Sequence, residues 1–177
     1  MPRRLLPALL LLLLAGCAAP VIEAANVARD RAIYSNTLPA AEAGDPAAQL
    51  RVGNALCCSV SERQPFYDTQ VATEWMCRAA AQGFAPAMFR LGRIHSGSLV
   101  DGLRITRRLA NAVAGGPDNL PLAWAWFQFS ADAGAAEGAA RARSVAEDMT
   151  PGQRAMGERI RAAGVAAAPC TLRQARA

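Results

Sequence analysis

The sequence predicts an all-α protein built of stacked helix pairs, and three observations carry that prediction. First, one stretch has the pattern AxxWxxxAAxxGxxxAxxxLGxxH, set by Ala72, Trp75, Ala79, Ala80, Gly83, Ala87, Leu91, Gly92 and His95. Second, pieces of it recur on both sides. Subtracting 39 lands on Ala40, Ala41, Gly44, Ala48, Val52 and Gly53, and adding 51 lands on Ala123, Trp126, Ala131 and Gly134. Self-similarity at a period of roughly 20 to 50 residues marks supersecondary units that bury their apolar faces on one another. Third, helix-starting and helix-stopping residues punctuate the chain at the ends of these units.

The N-terminus is a different kind of segment. Arg3 and Arg4 precede an apolar run from Leu5 to Leu14, and Ala15 and Gly16 stand immediately before Cys17. This pattern reads as an export signal, because a transmembrane helix needs about 20 apolar residues. Leu14-Ala15-Gly16-Cys17 resembles the lipobox of bacterial lipoproteins, in which the peptidase cuts before a cysteine already carrying diacylglycerol. That resemblance implies a signal peptide over 1–16, lipidation of Cys17 and a tether over 17–26. Buried acyl chain contributes about 0.8 kcal/mol per CH₂, so more than one chain would anchor the protein stably. Ala18 after the cysteine points, by the family's sorting rule, to the outer membrane rather than the inner, with the domain on the periplasmic face.

From Val27 to Ala43, Val27, Ile33, Tyr34, Leu38 and Ala41 fit a helical face, but Pro39 cannot donate a backbone hydrogen bond and is expected to break or kink the segment. Two short helices would satisfy the pattern. Gly44-Asp45-Pro46 supplies a stop, a cap and a first-turn proline, opening a helix to about Cys58 with Leu50, Val52, Leu56 and Cys57 on its apolar face. Gly53 costs about 1 kcal/mol of helix propensity and should therefore mark a close approach between helices. The polar segment 59–68 reads as a loop, and Asp68 or Thr69 caps the helix carrying Ala72, Trp75, Met76, Ala79 and Ala80. Gly83 ends that helix. Pro86 sits in the first turn of the next, whose Met88, Leu91 and Ile94 continue the pattern to Ser96.

The gap from His95 to Ala123 is 28 residues against 16 from Leu56 to Ala72, so the longer period reflects an insertion over 98–118. Inside it Arg104, Arg107, Arg108 and Asn111 form one stripe of an amphipathic helix, opposite Leu103, Ala110 and Val113. The basic stripe could meet an acidic partner or lipid headgroups, although such stripes are most often solvated faces. Pro121 opens the next helix, with Trp126 and Phe127 on its face, and Gly134 closes it. Its partner runs over 135–149. Thr150-Pro151-Gly152-Gln153 then combines a cap, a first-turn proline and a capping-box glutamine, opening a C-terminal capping helix over 150–163. The domain thus spans 27–164, and the small residues of 165–177 form a flexible tail except where Cys170 ties it down.

The repeated pattern resembles the Sel-one-like repeat, a relative of the tetratricopeptide repeat, over residues 33 to 148. The resemblance implies a short right-handed α-solenoid of antiparallel helix pairs, about six to eight helices in all, acting as a scaffold for another protein. It also implies that the first helix of each pair lines a concave surface suited to a peptide or helix of the partner, exposing Asn54, Phe89, Arg93, Ser96 and Glu147. The pattern departs from the family where His95 and Leu56 replace tyrosine and Arg143 replaces glycine, which leaves the last unit degenerate. Trp75 and Trp126 are expected in the core, filling gaps between layers of small residues.

Composition bounds the remaining functions. The formal charge is +5, all of it from arginine, and removal of Arg3 and Arg4 leaves 17 arginines against 14 acidic residues. An excess so small and so dispersed argues against nucleic acid as a partner. Cys57, Cys58, Cys77 and Cys170 permit two disulfides in three connectivities in an oxidising compartment, and free buried thiols are the other reading. A Cys58–Cys77 bond is disfavoured, since a hairpin around the loop offsets them by about 10 Å, beyond the roughly 7 Å reach of a disulfide. His95 is the only histidine and stands at a packing position. No metal-ligand, nucleophile-elbow or phosphate-loop spacing occurs, so neither a cofactor nor catalysis is expected, and a hydrolase is the weakest reading. Binding of peptidoglycan or a β-lactam-like ligand is the alternative to the scaffold.

Overall fold

The computed structural model describes residues 6–58, 65–97 and 119–176, and among them every regular element is helical. In chain order these are α1 (Leu6–Glu42), α2 (Pro46–Leu56), α3 (Thr69–Ala81), α4 (Ala85–His95), α5 (Leu120–Asp132), α6 (Ala136–Glu147) and α7 (Pro151–Ala163), followed by a 3-10 turn at Gln174–Arg176. Each of α1 to α5 packs on its successor, and α7 folds back onto α5. The expected insertion and its arginine stripe, Arg104, Arg107 and Arg108, lie outside the described residues.

Local chemistry starts the helices where it should. The Asp45 carboxylate accepts hydrogen bonds from the Ala47 and Ala48 amides (2.7 and 3.0 Å), and Asp68 accepts from Val71 (3.0 Å). Both satisfy first-turn N–H groups that have no partner within the helix. At α7 the capping box is complete, with Gln153 N donating to Thr150 Oγ1 and Thr150 N to Gln153 Oε1 (3.3 and 2.9 Å). Gly44, Gly83 and Gly134 end α1, α3 and α5 with φ of 101°, 81° and 97°, a region that L side chains rarely adopt.

The sequence offsets reappear as equal geometry. Helices α2 and α4 each have 11 residues and start 39 positions apart, and α3 and α5 each have 13 residues and start 51 apart. Gly53 on α2 faces Met76 on α3, where an added Cβ would lie 2.8 Å from Met76 Cγ. Gly92 on α4 faces Phe127 on α5 in the same way, at 2.7 Å from Phe127 Cδ1. In both pairs the missing side chain is the space into which the large neighbour packs. One apolar cluster joins Ala41 and Val52 to Met76, Leu91, Leu122 and Trp126, and a second, of Ala123, Phe127, Ala142, Val145 and Met149, fills the space between α5 and α6.

Four expectations are corrected. Pro39 does not divide the first segment: α1 passes through it to Glu42. The proline stands one turn from the helix end, and that turn is held by Ala43 N donating to Pro39 O and by the buried Gln49 side chain donating to Ala41 O (3.0 and 3.2 Å). Tertiary contact with α2 offsets the single lost backbone bond. Residues 17–26, expected as a tether, continue the same helix. Trp75 packs against the core without being enclosed by it: it is half-buried, with the Arg78 guanidinium stacked 4.3 Å above its ring, whereas Trp126 at the matching place is 1 % exposed. The tail, finally, is not free. Residues 165–176 lie across α3 and α5 and bury Ala168 in the main cluster. Among the described residues no helix is long and apolar enough to cross a membrane.

Candidate functional site

The five residues assigned to a partner surface differ widely in exposure. Asn54 on α2 and Glu147 on α6 are exposed. Phe89 is half-buried, its ring meeting the Phe127 ring edge to face at 5.4 Å between centroids, and Arg93 is half-buried as well. Ser96 is wholly buried, which removes it from any surface. Its hydroxyl turns back to donate to Arg93 O (3.0 Å), while the residue before it, His95, uses its carbonyl to accept from Asn119 N (2.9 Å). The end of α4 is thereby tied to the start of α5. Of the five, Arg93 and Ser96 are in direct contact, and Phe89 lies one turn before Arg93 on α4.

The residues converge elsewhere, on the strap formed by 165–176. Cys77 on α3 is bonded to Cys170, with 5.9 Å between their Cα atoms. Trp126 Nε1 on α5 donates to Pro169 O (3.1 Å), and His95 Nε2 at the end of α4 is 2.9 Å from Cys170 O. A carbonyl only accepts, so Nε2 carries the proton and the neutral ring has Nδ1 unprotonated. Asn119 Nδ2 reaches Ala175 O (3.4 Å), and Arg173 N donates to Gln70 Oε1 (3.0 Å). These four hydrogen bonds all engage the strap's backbone, while its side chains contribute the disulfide and the packing of Val165, Ala168 and Leu172 on the main cluster. Beside the bond lies an open cavity of about 380 Å³ walled by Glu74, Cys77, Arg78, Trp126, Cys170 and Thr171.

Sequence reasoning named Cys170 as a possible tie but assigned none of Gln70, His95, Asn119 and Trp126 to the strap. The signal was the even cysteine count with one member beyond the last helix, which allows the tail to return without fixing that it does or where. Of the pairings left open, Cys77–Cys170 is formed, which excludes the disfavoured Cys58–Cys77 bond.

Burial shapes the titration of His95. The ring is 2 % exposed, and desolvation lowers its pKa from the ordinary 6.5, opposed in part by the hydrogen bond to Cys170 O. A lowered folded-state value means that the unfolded chain takes up this proton first as pH falls. The stability associated with neutral His95 is therefore fully present above about pH 6.5 and is lost progressively toward the lower folded pKa. Urea unfolding at pH values below 6.5 should show a steeper loss of stability for the wild-type protein than for His95→Gln, which keeps an N–H donor and has no proton to gain. Equal slopes would remove the assignment.

Among the described residues no group of three or more His, Cys, Asp or Glu side chains is placed to hold a metal ion. No family model, no curated protein and no solved structure matches the chain.

Proposed function

We propose that this protein is a lipid-anchored envelope scaffold, a short right-handed α-solenoid of antiparallel helix pairs of the Sel-one-like kind that holds a segment of another protein and catalyses nothing. The anchor is Cys17, lipidated after removal of residues 1–16, and the outer membrane's periplasmic face is its address. The observation that carries the reading is the recurrence of one hairpin geometry. Glycine on the first helix of a pair receives a large side chain from the second, at Gly53–Met76 and again at Gly92–Phe127. Units that repeat in this way bury their apolar faces on one another and present an extended surface of side chains rather than an enclosed pocket.

The surface itself is revised by the burial pattern. Asn54, Phe89, Arg93 and Glu147 remain candidates for contact with the partner, and Ser96 does not. A photo-crosslinking residue placed at Asn54 or Glu147 in cells should give a discrete protein adduct, while the same residue at the exposed Arg159 on α7 should give none. Adducts of equal yield at all three positions, or retention of the purified protein on isolated cell-wall sacculi without any protein adduct, would overturn the scaffold reading. Cys17→Ser should move the protein from the membrane fraction to the soluble one, and unchanged fractionation would remove the anchor.

A further inference from the structure

One covalent bond ties the strap to α3, beside four hydrogen bonds and the packing of Val165, Ala168 and Leu172 on the main cluster. Of residues 165–175 only Ala168 is buried, while Ala166, Ala167, Arg173 and Gln174 are exposed, and the hydrogen bonds described above are made to its backbone alone. The Cys77–Cys170 bond is placed to be reached. Both cysteines are half-buried rather than enclosed, and both line the 380 Å³ cavity that opens beside the strap. Arg78, whose guanidinium stacks on Trp75, and Glu74 border the same cavity, so its rim carries one charge of each sign.

We propose that Cys77–Cys170 is a thiol–disulfide exchange site for a dithiol reductant, and that its opening releases residues 165–176 from α3 and α5. The thiolate of the dithiol enters the cavity and attacks one of the two sulfurs, forming a mixed disulfide and freeing the other cysteine as thiolate. The reductant's second thiol then attacks the mixed disulfide. The dithiol leaves as its own disulfide, two electrons have passed to the protein, and the two protons of the dithiol end on Cys77 and Cys170. With the bond gone, Trp126 Nε1 and His95 Nε2 lose the carbonyls of Pro169 and Cys170. The face they leave, two N–H donors beside a small apolar hollow vacated by Ala168, is uncovered between the helices.

The proposal does not depend on the anchor or on the surface of α2, α4 and α6, and it is tested on the full chain. Amide hydrogen exchange is followed in the oxidised protein and after treatment with dithiothreitol, with alkylation and mass measurement reporting the state of each cysteine. Reduction should speed exchange at Ala167, Ala168 and Ala175 at least about tenfold, as expected for a segment passing from held to locally open, while the interiors of α3 and α5 stay protected. The Cys57→Ala/Cys58→Ala double variant should respond to dithiothreitol in the same way, and Cys170→Ser should show fast strap exchange without it. Should Cys170→Ser fail to fold, the comparison of oxidised and reduced wild type decides alone. Three results would each overturn the proposal: strap amides equally protected once both cysteines are alkylated, a bond that yields to dithiothreitol only in denaturant, or loss of protection throughout α3 and α5 together with the strap.

Discussion

Trp126→Ala is expected to destabilise the protein by about 3–5 kcal/mol, the range for removing a large aromatic side chain from a closed core. The ring is 1 % exposed, meets Phe129 edge to face at 5.5 Å between centroids, and donates through Nε1 to Pro169 O. Truncation therefore opens a cavity in the cluster that joins α1 to α5 and leaves a strap carbonyl without its donor. Trp126→Phe separates the two effects. It retains most of the buried surface and loses the N–H, so about 1–3 kcal/mol is expected. Trp75→Ala, at the matching position on α3, should cost only about 1 kcal/mol, because that ring is half-buried and its stacked Arg78 contributes about 0.5–1 kcal/mol. Urea midpoints at unchanged m-value give the comparison. Similar losses at Trp75 and Trp126 would contradict the packing described above.

Gly138→Ala should be a damaging single-methyl change within a described helix. The added Cβ would lie 2.7 Å from both Ala131 N and Phe127 O, which are backbone atoms of α5 and cannot rotate aside. Helix α6 must then move off α5 and open the cluster of Phe127, Ala142 and Val145. Overpacking of this kind costs about 1–3 kcal/mol or more, larger than the roughly 1 kcal/mol gained by replacing a helical glycine with alanine. Gly152→Ala gives the opposite sign. Nothing lies within 4 Å of the methyl it would add on α7, so the change should stabilise by about 0.4–1 kcal/mol through loss of freedom in the unfolded chain. Thermal unfolding of the two variants distinguishes them directly, and a stabilising Gly138→Ala would show that α6 does not sit against α5 as described.

The candidate sites were legible in the sequence to different depths. Helix starts at Asp45, Asp68 and Thr150 were readable because a cap is made within three residues of itself, so nothing distant can move it. Gly53 was readable as a packing contact, since a helical glycine is retained against its own propensity only where something needs the room. Ser96 was misplaced by family correspondence: a position on an outward face of a helix becomes buried where the end of α4 is tied to the start of α5. Trp75 and Trp126 share one pattern and one place on their helices, and differ in their surroundings: Trp126 donates to the strap at Pro169 O, while Trp75 is stacked by Arg78.

What the sequence by itself determined is the all-helical character of the described residues, the start of nearly every helix and the spacing of the matched pairs. These follow from hydrogen bonds and steric limits between residues a few positions apart, which the linear order fixes. The tertiary structure alone decided that Cys170 reaches Cys77, that α1 runs on through Pro39, and that the last residues lie across α3 and α5. Each of those outcomes depends on which surfaces remain to be covered once the helices have packed, and it is settled by contacts across as many as 103 positions of chain, between Gln70 and Arg173.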